Sequence, residues 1–182
     1  MDALIAGGVC SVELTLTTPG TLEVLSQLVG RYADAVDVGV GTVVDATQLQ
    51  KAMDAGVRYV VTPNTDPTLV ETAVAAQMPI IPGGLTPTEL YSSWRSGASA
   101  VKVFPASQVD AGYANDLHGP FPDLAVIPSG GEGLELAARW LRVGAVAVSV
   151  GGPLVGDAFR GGSMSALRER AARFAQLCGE QG

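Results

Sequence analysis

The sequence predicts an α/β protein of the (β/α)8 barrel type, on three observations. Short apolar runs recur every 20 to 25 residues, about the length of one strand plus one helix. Segments with helical apolar spacing lie between these runs. Most runs are apolar on both faces, as in parallel sheets covered by helices. The runs are centred near Glu13, Val38, Val60, Ile80, Lys102, Val126 and Val148.

The segments between the runs carry helix signals. In the segment after the first run, Leu22, Leu25 and Leu28 fall on one helical face. Candidate N-caps open several of the later helices, and glycines follow the ends of others. The N-cap candidates are Asp45, Asp66 and Thr86, and the glycines are Gly7, Gly56, Gly97 and Gly144.

The N-terminal stretch MDALIAGGV looks like the end of a helix and not like a strand. The runs are therefore one fewer than the strands of the barrel, and 182 residues is below the usual length of about 200 or more. We interpret residues 1–182 as a single barrel domain whose first strand is missing from this chain. An open, doubly wound sheet is the alternative, but the unbroken period gives no sign of a change in strand order.

Charge and cysteine content argue against several classes of protein. Eleven Lys and Arg residues against 18 Asp and Glu give a net charge of −7, so the basic face that nucleic acids or anionic membranes require is not expected. No apolar stretch reaches the length of a membrane span, and the N-terminus lacks a signal-peptide pattern. Cys10 and Cys178 are too few for a disulfide framework. We expect a cytoplasmic protein.

Common cofactor and metal motifs are missing from the sequence. No G-x-G-x-x-G, P-loop or G-x-S-x-G pattern occurs at a strand end. The single histidine, His118, has no neighbouring acidic cluster with which to form a metal site. We therefore expect chemistry that uses no cofactor and no metal.

Two charged residues interrupt the apolar runs, and they are the candidate catalytic pair. Lys102 lies in the run AVKVFP, where burial disfavours the ammonium and favours the neutral amine, a nucleophile toward carbonyls. Glu13 lies in VELTLT, on the same strand face as Thr15 and Thr17, and could move protons as a general acid and base. The alternatives are a lysine that extends to solvent and a structural ion pair with Glu13.

Glycine-rich segments follow the last two runs. They are Ser129-Gly130-Gly131 and Gly151-Gly152, at the strand ends where (β/α)8 barrels often bind phosphate. Backbone N–H groups can approach an anion closely there, because glycine has no Cβ. A pair of ordinary turns is the alternative interpretation.

Taken together, these motifs make the chain resemble the 2-keto-3-deoxy-6-phosphogluconate (KDPG) and 4-hydroxy-2-oxoglutarate (KHG) aldolase family. The resemblance implies a class I, Schiff-base aldolase on a (β/α)8 barrel, usually a homotrimer, that acts on a small keto acid. The stretches that carry it are AGGVCSVELTLTTP, VGVGTVVDATQL, VVTPN, IIPGGLTPTEL, VKVFPAS, GPFPDLAVIPSGG and AVAVSVGGPLV.

The resemblance also implies roles for individual residues. Lys102 matches the Schiff-base lysine, Glu13 the general acid and base, and Thr42 a threonine near the substrate carboxylate. Thr17 and Gly152 stand where many members carry arginine and serine, respectively, so the anion-binding groups differ from the common pattern. The remaining matched positions line the pocket or form the phosphate loop, and they are Pro63, Phe104, Gly130 and Gly131.

The expected reaction is reversible cleavage of KDPG to pyruvate and glyceraldehyde 3-phosphate. KHG, a phosphogalactonate-type acid and an unphosphorylated keto acid are alternative substrates. A metal-dependent pyruvate aldolase is disfavoured because ligand clusters are missing from the sequence. A different class of function is a non-catalytic binding or assembly protein, in which Lys102 and Glu13 form only a structural pair.

Overall fold

The computed structural model describes residues 1–131 and 133–179. These residues form two compact units. The first unit is Cys10–Lys102, and the second comprises Met1–Val9 and the chain from Val103 onward. Each unit contains alternating strands and helices, which confirms the predicted α/β class.

Strands and helices alternate through most of the described chain. The strands are β1 (Ser11–Thr15), β2 (Asp37–Gly41), β3 (Tyr59–Val61), β4 (Ile80–Ile81), β5 (Gly83–Gly84), β6 (Val101–Val103) and β7 (Val126–Pro128). The helices are α1 (Asp2–Ala6), α2 (Thr21–Tyr32), α3 (Ala46–Asp54), α4 (Pro67–Ala75), α5 (Pro87–Arg95), α6 (Gly112–His118), α7 (Leu134–Arg142), α8 (Gly152–Val155) and α9 (Met164–Gly179). None of these helices is both long and apolar enough to cross a bilayer.

In the first unit, β1 to β4 form a parallel sheet in chain order. Val38 and Val40 are buried on one face of β2, whereas Gly39 and Gly41 lie on the other face. The register places Glu13 opposite Gly39. The face of β2 that lies beside Glu13 is therefore made of glycine.

The predicted starts of three helices in the first unit are confirmed. The Asp45 carboxylate accepts a hydrogen bond from the Gln48 N–H at 2.8 Å, and Asp66 caps α4 in the same way. Thr86 and Glu89 form a reciprocal capping box at the start of α5. The hydrogen bonds from Thr86 hold the pKa of the Glu89 carboxyl below its usual value.

In the second unit, α1 packs against α9 so closely that a Cβ at Gly7 would lie 2.5 Å from the Cβ of Ala171. The helix α1 confirms that the N-terminal stretch is helical. Within the described residues no strand precedes β1. The inner face of α7 buries Ala137 and Trp140 completely.

The seventh apolar run, centred near Val148, does not form the expected regular strand. Its N–H groups still donate to β7, from Val146 to the Val126 carbonyl and from Ser149 to the Pro128 carbonyl, both at 3.0 Å. Three steps along this run therefore match two steps along β7, and one extra residue interrupts the ladder. The result is a single parallel bridge between Ser129 and Ser149.

Candidate active site

Lys102 is a buried lysine at the centre of β6. The whole residue is 8% exposed, and Val101 beside it is fully buried. Its backbone N–H donates to the Pro82 carbonyl at 2.8 Å, which fixes the strand beside the Pro82 turn. Buried lysines are the ones that proteins use as Schiff-base nucleophiles.

Glu13 is a half-buried carboxyl in β1. Burial raises the pKa of this carboxyl above its usual value, and the positive charge of Lys102 partly offsets that effect. The two candidate catalytic side chains therefore act on one another electrostatically within the first unit. A carboxyl with a raised pKa can hold and release a proton closer to neutral pH, as a general acid and base must.

Two glycines of β2 make room for the side chains next to them. A Cβ at Gly41 would overlap the Glu13 carboxylate, and a Cβ at Gly39 would overlap the ring of Tyr59. The carboxylate thus lies directly against the backbone of β2. The VGVG stretch carries a sequence signal for this arrangement, since glycine within a strand often marks the close approach of another group.

We expect Gly41→Ala to reduce turnover by about 100-fold, because even a displacement of about 1 Å costs that much when a reacting group is misplaced. The added methyl group would push the Glu13 carboxylate from its position. Steady-state kinetics measure this effect. Gly30→Ala in α2 is the matched control, since nothing lies within 4 Å of its Cβ position, and it should leave turnover unchanged. Equal kinetics for the two variants would contradict this role of Gly41.

The hydroxyls of Thr15, Thr17 and Thr42 form a threonine row in the first unit. Thr15 Oγ1 lies 2.7 Å from Thr17 Oγ1 and 3.0 Å from Thr42 Oγ1, so Thr15 joins the two predicted substrate-binding threonines. Thr42 has a φ of 63°, a strained conformation for a β-branched residue. Such strain often accompanies a functional constraint, and the hydroxyls together offer donors and acceptors to a carboxylate.

Pro63, the remaining predicted site residue of the first unit, follows the end of β3 and is half-buried. A Cβ at Gly83 would lie 2.5 Å from the Pro63 carbonyl oxygen, so the Pro63 backbone packs tightly against β5. The nearby Thr62 side chain is fully buried and accepts a hydrogen bond from the Gly83 N–H at 3.3 Å. These contacts fix the Pro63 backbone at the end of β3.

In the second unit, Phe104 and the first glycine-rich segment lie together. The Ala106 N–H donates to the Ser129 carbonyl at 2.9 Å, and a Cβ at Gly130 would lie 3.7 Å from the Phe104 ring. Gly130 and Gly131 both have positive φ, 113° and 91°, which other residues rarely adopt. This backbone turn therefore favours glycine, and Phe104 beside it is 37% exposed.

The second glycine-rich segment lies beside the first. Ser129 is bridged to Ser149, with 3.4 Å between their Oγ atoms, and Gly151 and Gly152 follow Ser149. Both glycines are exposed, with nothing within 4 Å of a Cβ at either position. Gly152 begins the one-turn helix α8. The four predicted glycines thus lie at the ends of two neighbouring segments.

Clusters of three or more His, Cys, Asp or Glu side chains that could hold a metal ion do not occur in residues 1–131 or 133–179. Lys102 and Tyr59 are instead the titratable neighbours that interact electrostatically with Glu13 in the first unit.

Comparison with known proteins gives one consistent family. The family described as KDPG and KHG aldolase matches residues 1–167. The 2-dehydro-3-deoxy-6-phosphogalactonate aldolase of Escherichia coli K12 is 31% identical over 176 residues, which cover 96% of this chain and 84% of that protein.

Solved structures agree with this result. A structure described as native KDPGal is 30% identical with a TM-score of 0.91, and the match covers 99% of this chain and 86% of that one. The KDPG aldolase of Legionella pneumophila, with pyruvate captured as a covalent carbinolamine intermediate, is 28% identical with a TM-score of 0.86, and the match covers 95% and 84%. The likeness confirms the (β/α)8 fold class predicted from the sequence. The chain belongs to the KDPG and KHG aldolase family.

Proposed function

We propose that this protein is a class I aldolase that reversibly cleaves KDPG to pyruvate and glyceraldehyde 3-phosphate, with Lys102 as the Schiff-base lysine. The observation that carries the proposal is the buried Lys102 in electrostatic contact with a Glu13 carboxyl of raised pKa. The carbinolamine of pyruvate in the Legionella pneumophila relative supports the same covalent chemistry here.

The proposed reaction begins when the neutral amine of Lys102 attacks the C2 carbonyl and forms a carbinolamine. Glu13 in its acid form protonates the C2 hydroxyl, which leaves as water and gives an iminium. The Glu13 carboxylate then takes the proton of the C4 hydroxyl. The C3–C4 bond breaks, its electron pair flows into the iminium to give an enamine, and the aldehyde leaves. Protonation at C3 by Glu13, followed by hydrolysis, releases pyruvate and the free amine.

Reduction of the iminium with borohydride in the presence of pyruvate tests the proposal. The chain has two lysines, Lys102 and Lys51, and Lys51 lies on the exposed face of α3. Peptide mapping by mass spectrometry should find the reduced pyruvate adduct on Lys102 and not on Lys51. An unmodified Lys102 after this treatment would refute the Schiff-base mechanism and favour the non-catalytic alternative.

The other predicted residues divide the recognition of the substrate between them. We propose that Thr17 and Thr42 bind the keto-acid carboxylate through the threonine row, and that Pro63 and Phe104 supply apolar walls. We propose that Gly130, Gly131, Gly151 and Gly152 form a phosphate loop, since a backbone without Cβ atoms lets N–H groups approach an anion, and that the Ser129 hydroxyl borders this loop. Competitive inhibition by inorganic phosphate tests the loop, and its absence would favour an unphosphorylated keto acid.

A second candidate substrate is 2-dehydro-3-deoxy-6-phosphogalactonate. The relative named for that activity matches 96% of this chain, which is the observation in its favour. KDPG and the phosphogalactonate differ in configuration at C4, so parallel assays of pyruvate release from the two acids separate the candidates. Release from KHG in the same assay would favour the third substrate class.

Homotrimeric assembly and a cytoplasmic location stay predictions. The first rests on the family resemblance and the second on composition and cysteine content. Light scattering coupled to size exclusion measures the assembly, for which the expected mass is three times 18.6 kDa.

A further inference from the structure

The Tyr59 ring lies over Gly39 of β2, next to the space over Gly41 that holds the Glu13 carboxylate. Gly39 is the register partner of both residues, with Glu13 on one side in β1 and Tyr59 on the other in β3. The Tyr59 ring covers Gly39, and the Glu13 carboxylate covers Gly41, two residues further along the same face of β2. The two side chains are therefore neighbours in one layer of the sheet.

The Tyr59 hydroxyl is held in place from β1. The Ser11 hydroxyl donates a hydrogen bond to it at 2.7 Å. Burial and the nearby carboxylate of Glu13 raise the pKa of the phenol to about 12, so Tyr59 stays neutral throughout the range in which the enzyme would work.

The charged and titratable groups around this layer come from several elements. Lys102 acts on Glu13 from β6. Asp37 at the start of β2 and Cys10 just before β1 act on Tyr59. Asp37 is exposed and lies 3.9 Å from the Arg58 guanidinium, so solvent screens its charge. The pKa of Glu13 is therefore set by its burial and by Lys102, and of these two a substitution at Tyr59 would change the burial.

We propose that Tyr59 is a positioning residue for Glu13, whose ring fills the gap over Gly39, keeps water from that side of the carboxyl and confines the carboxylate to its place over Gly41. The proposal rests on the proposed function of Glu13 as the acid and base. A smaller side chain at this position would open the gap over Gly39 and let water solvate the carboxylate. The carboxylate could then also swing toward Gly39.

The test compares Tyr59→Leu, Tyr59→Phe and Ser11→Ala with the unaltered protein. Carbon-13 NMR of labelled glutamate side chains follows the titration of Glu13, assigned with Glu13→Gln. In Tyr59→Leu we expect the pKa of Glu13 to fall toward its ordinary value, because burial is the main cause of its raised value. Tyr59→Phe keeps the ring and should preserve the titration, and Ser11→Ala should do the same.

Kinetics supply the second measurement. Tyr59→Leu should lower kcat by about 10-fold or more with little change in KM, and should shift the acidic limb of the pH profile downward, since it alters the position and solvation of a reacting group. Leu25→Ala, in a fully buried position of α2, controls for general loss of stability and should leave the pH profile unchanged.

The outcomes separate this proposal from the proposed function. An unchanged Glu13 titration in folded Tyr59→Leu overturns the positioning role, whatever the activity. If Tyr59→Leu does not fold, an altered Glu13 titration in Tyr59→Phe or Ser11→Ala overturns the proposal, because both keep the ring over Gly39. The two proposals can also fail separately. If Tyr59→Leu shifts the Glu13 titration but Lys102 of the unaltered protein forms no pyruvate adduct, the positioning role is supported and only the aldolase mechanism is refuted.

Discussion

Lys102→Met should abolish the pyruvate adduct and reduce turnover by at least about 10³-fold, since loss of a covalent nucleophile costs up to about 10⁶-fold in a well-studied protease. Methionine has a similar length and can be accommodated in the buried strand β6, so the backbone should keep its hydrogen bond to Pro82. Pyruvate release and borohydride trapping measure the loss.

Stability distinguishes this result from the loss of a structural pair. The substitution removes an ammonium from a position that is 8% exposed, and Glu13 can stay protonated beside it because the charge of Lys102 no longer lowers its pKa. We therefore expect an equal or higher unfolding temperature at mildly acidic pH. Lys51→Met is the control, with full activity expected. Retained turnover in Lys102→Met, or a strong loss of stability with no kinetic effect, would indicate a purely structural lysine.

Glu13→Gln should lower kcat by about 10²- to 10⁴-fold, which is the usual contribution of a positioned general acid and base. The amide keeps the size of the side chain and its place over Gly41 but cannot carry a proton between substrate atoms. The adduct of pyruvate with Lys102 should still form, more slowly. The kcat profile of the unaltered protein should show a limb at a pH above the ordinary pKa of glutamate, and this limb should be missing from the variant.

The same substitution has an expected effect on stability with a definite sign. The pKa of Glu13 is higher in the folded protein than in the unfolded chain, so at intermediate pH the unfolded chain binds fewer protons. The stability contribution of the protonated carboxyl is present below the unfolded pKa and is lost as pH rises to the folded pKa. Glutamine does not ionise, so Glu13→Gln does not lose this stability as the pH rises. The variant should therefore be more stable than the unaltered protein at neutral pH.

Urea unfolding at a series of pH values, from the ordinary pKa of glutamate near 4.3 up to neutral pH, measures the difference, because the pKa of Glu13 is raised in the fold. Glu23→Gln is the matched control, because Glu23 is exposed in the first turn of α2. It should leave the kinetics unchanged. A Glu13→Gln variant with normal turnover would remove Glu13 from the mechanism.

Local sequence signals predicted most of the fold because they act over a few residues. Helix periodicity and the caps Asp45, Asp66 and Thr86 were predicted correctly. The run near Val148 was assigned as a regular strand from its composition, but its pairing to β7 contains an extra residue. Strand pairing depends on the neighbour as well as on the segment itself, so composition alone could not reveal the interruption.

The sequence by itself determined the fold class and the identity of the two charged residues that interrupt apolar strands, because a charge in a buried run is anomalous without any knowledge of its neighbours. Only the tertiary structure decided how Glu13 is placed. Strand register brings Gly39, Gly41 and Tyr59 from separate segments to its side, and burial then sets the direction of its pKa shift. Register and solvation arise from contacts between distant parts of the chain, which periodicity does not encode.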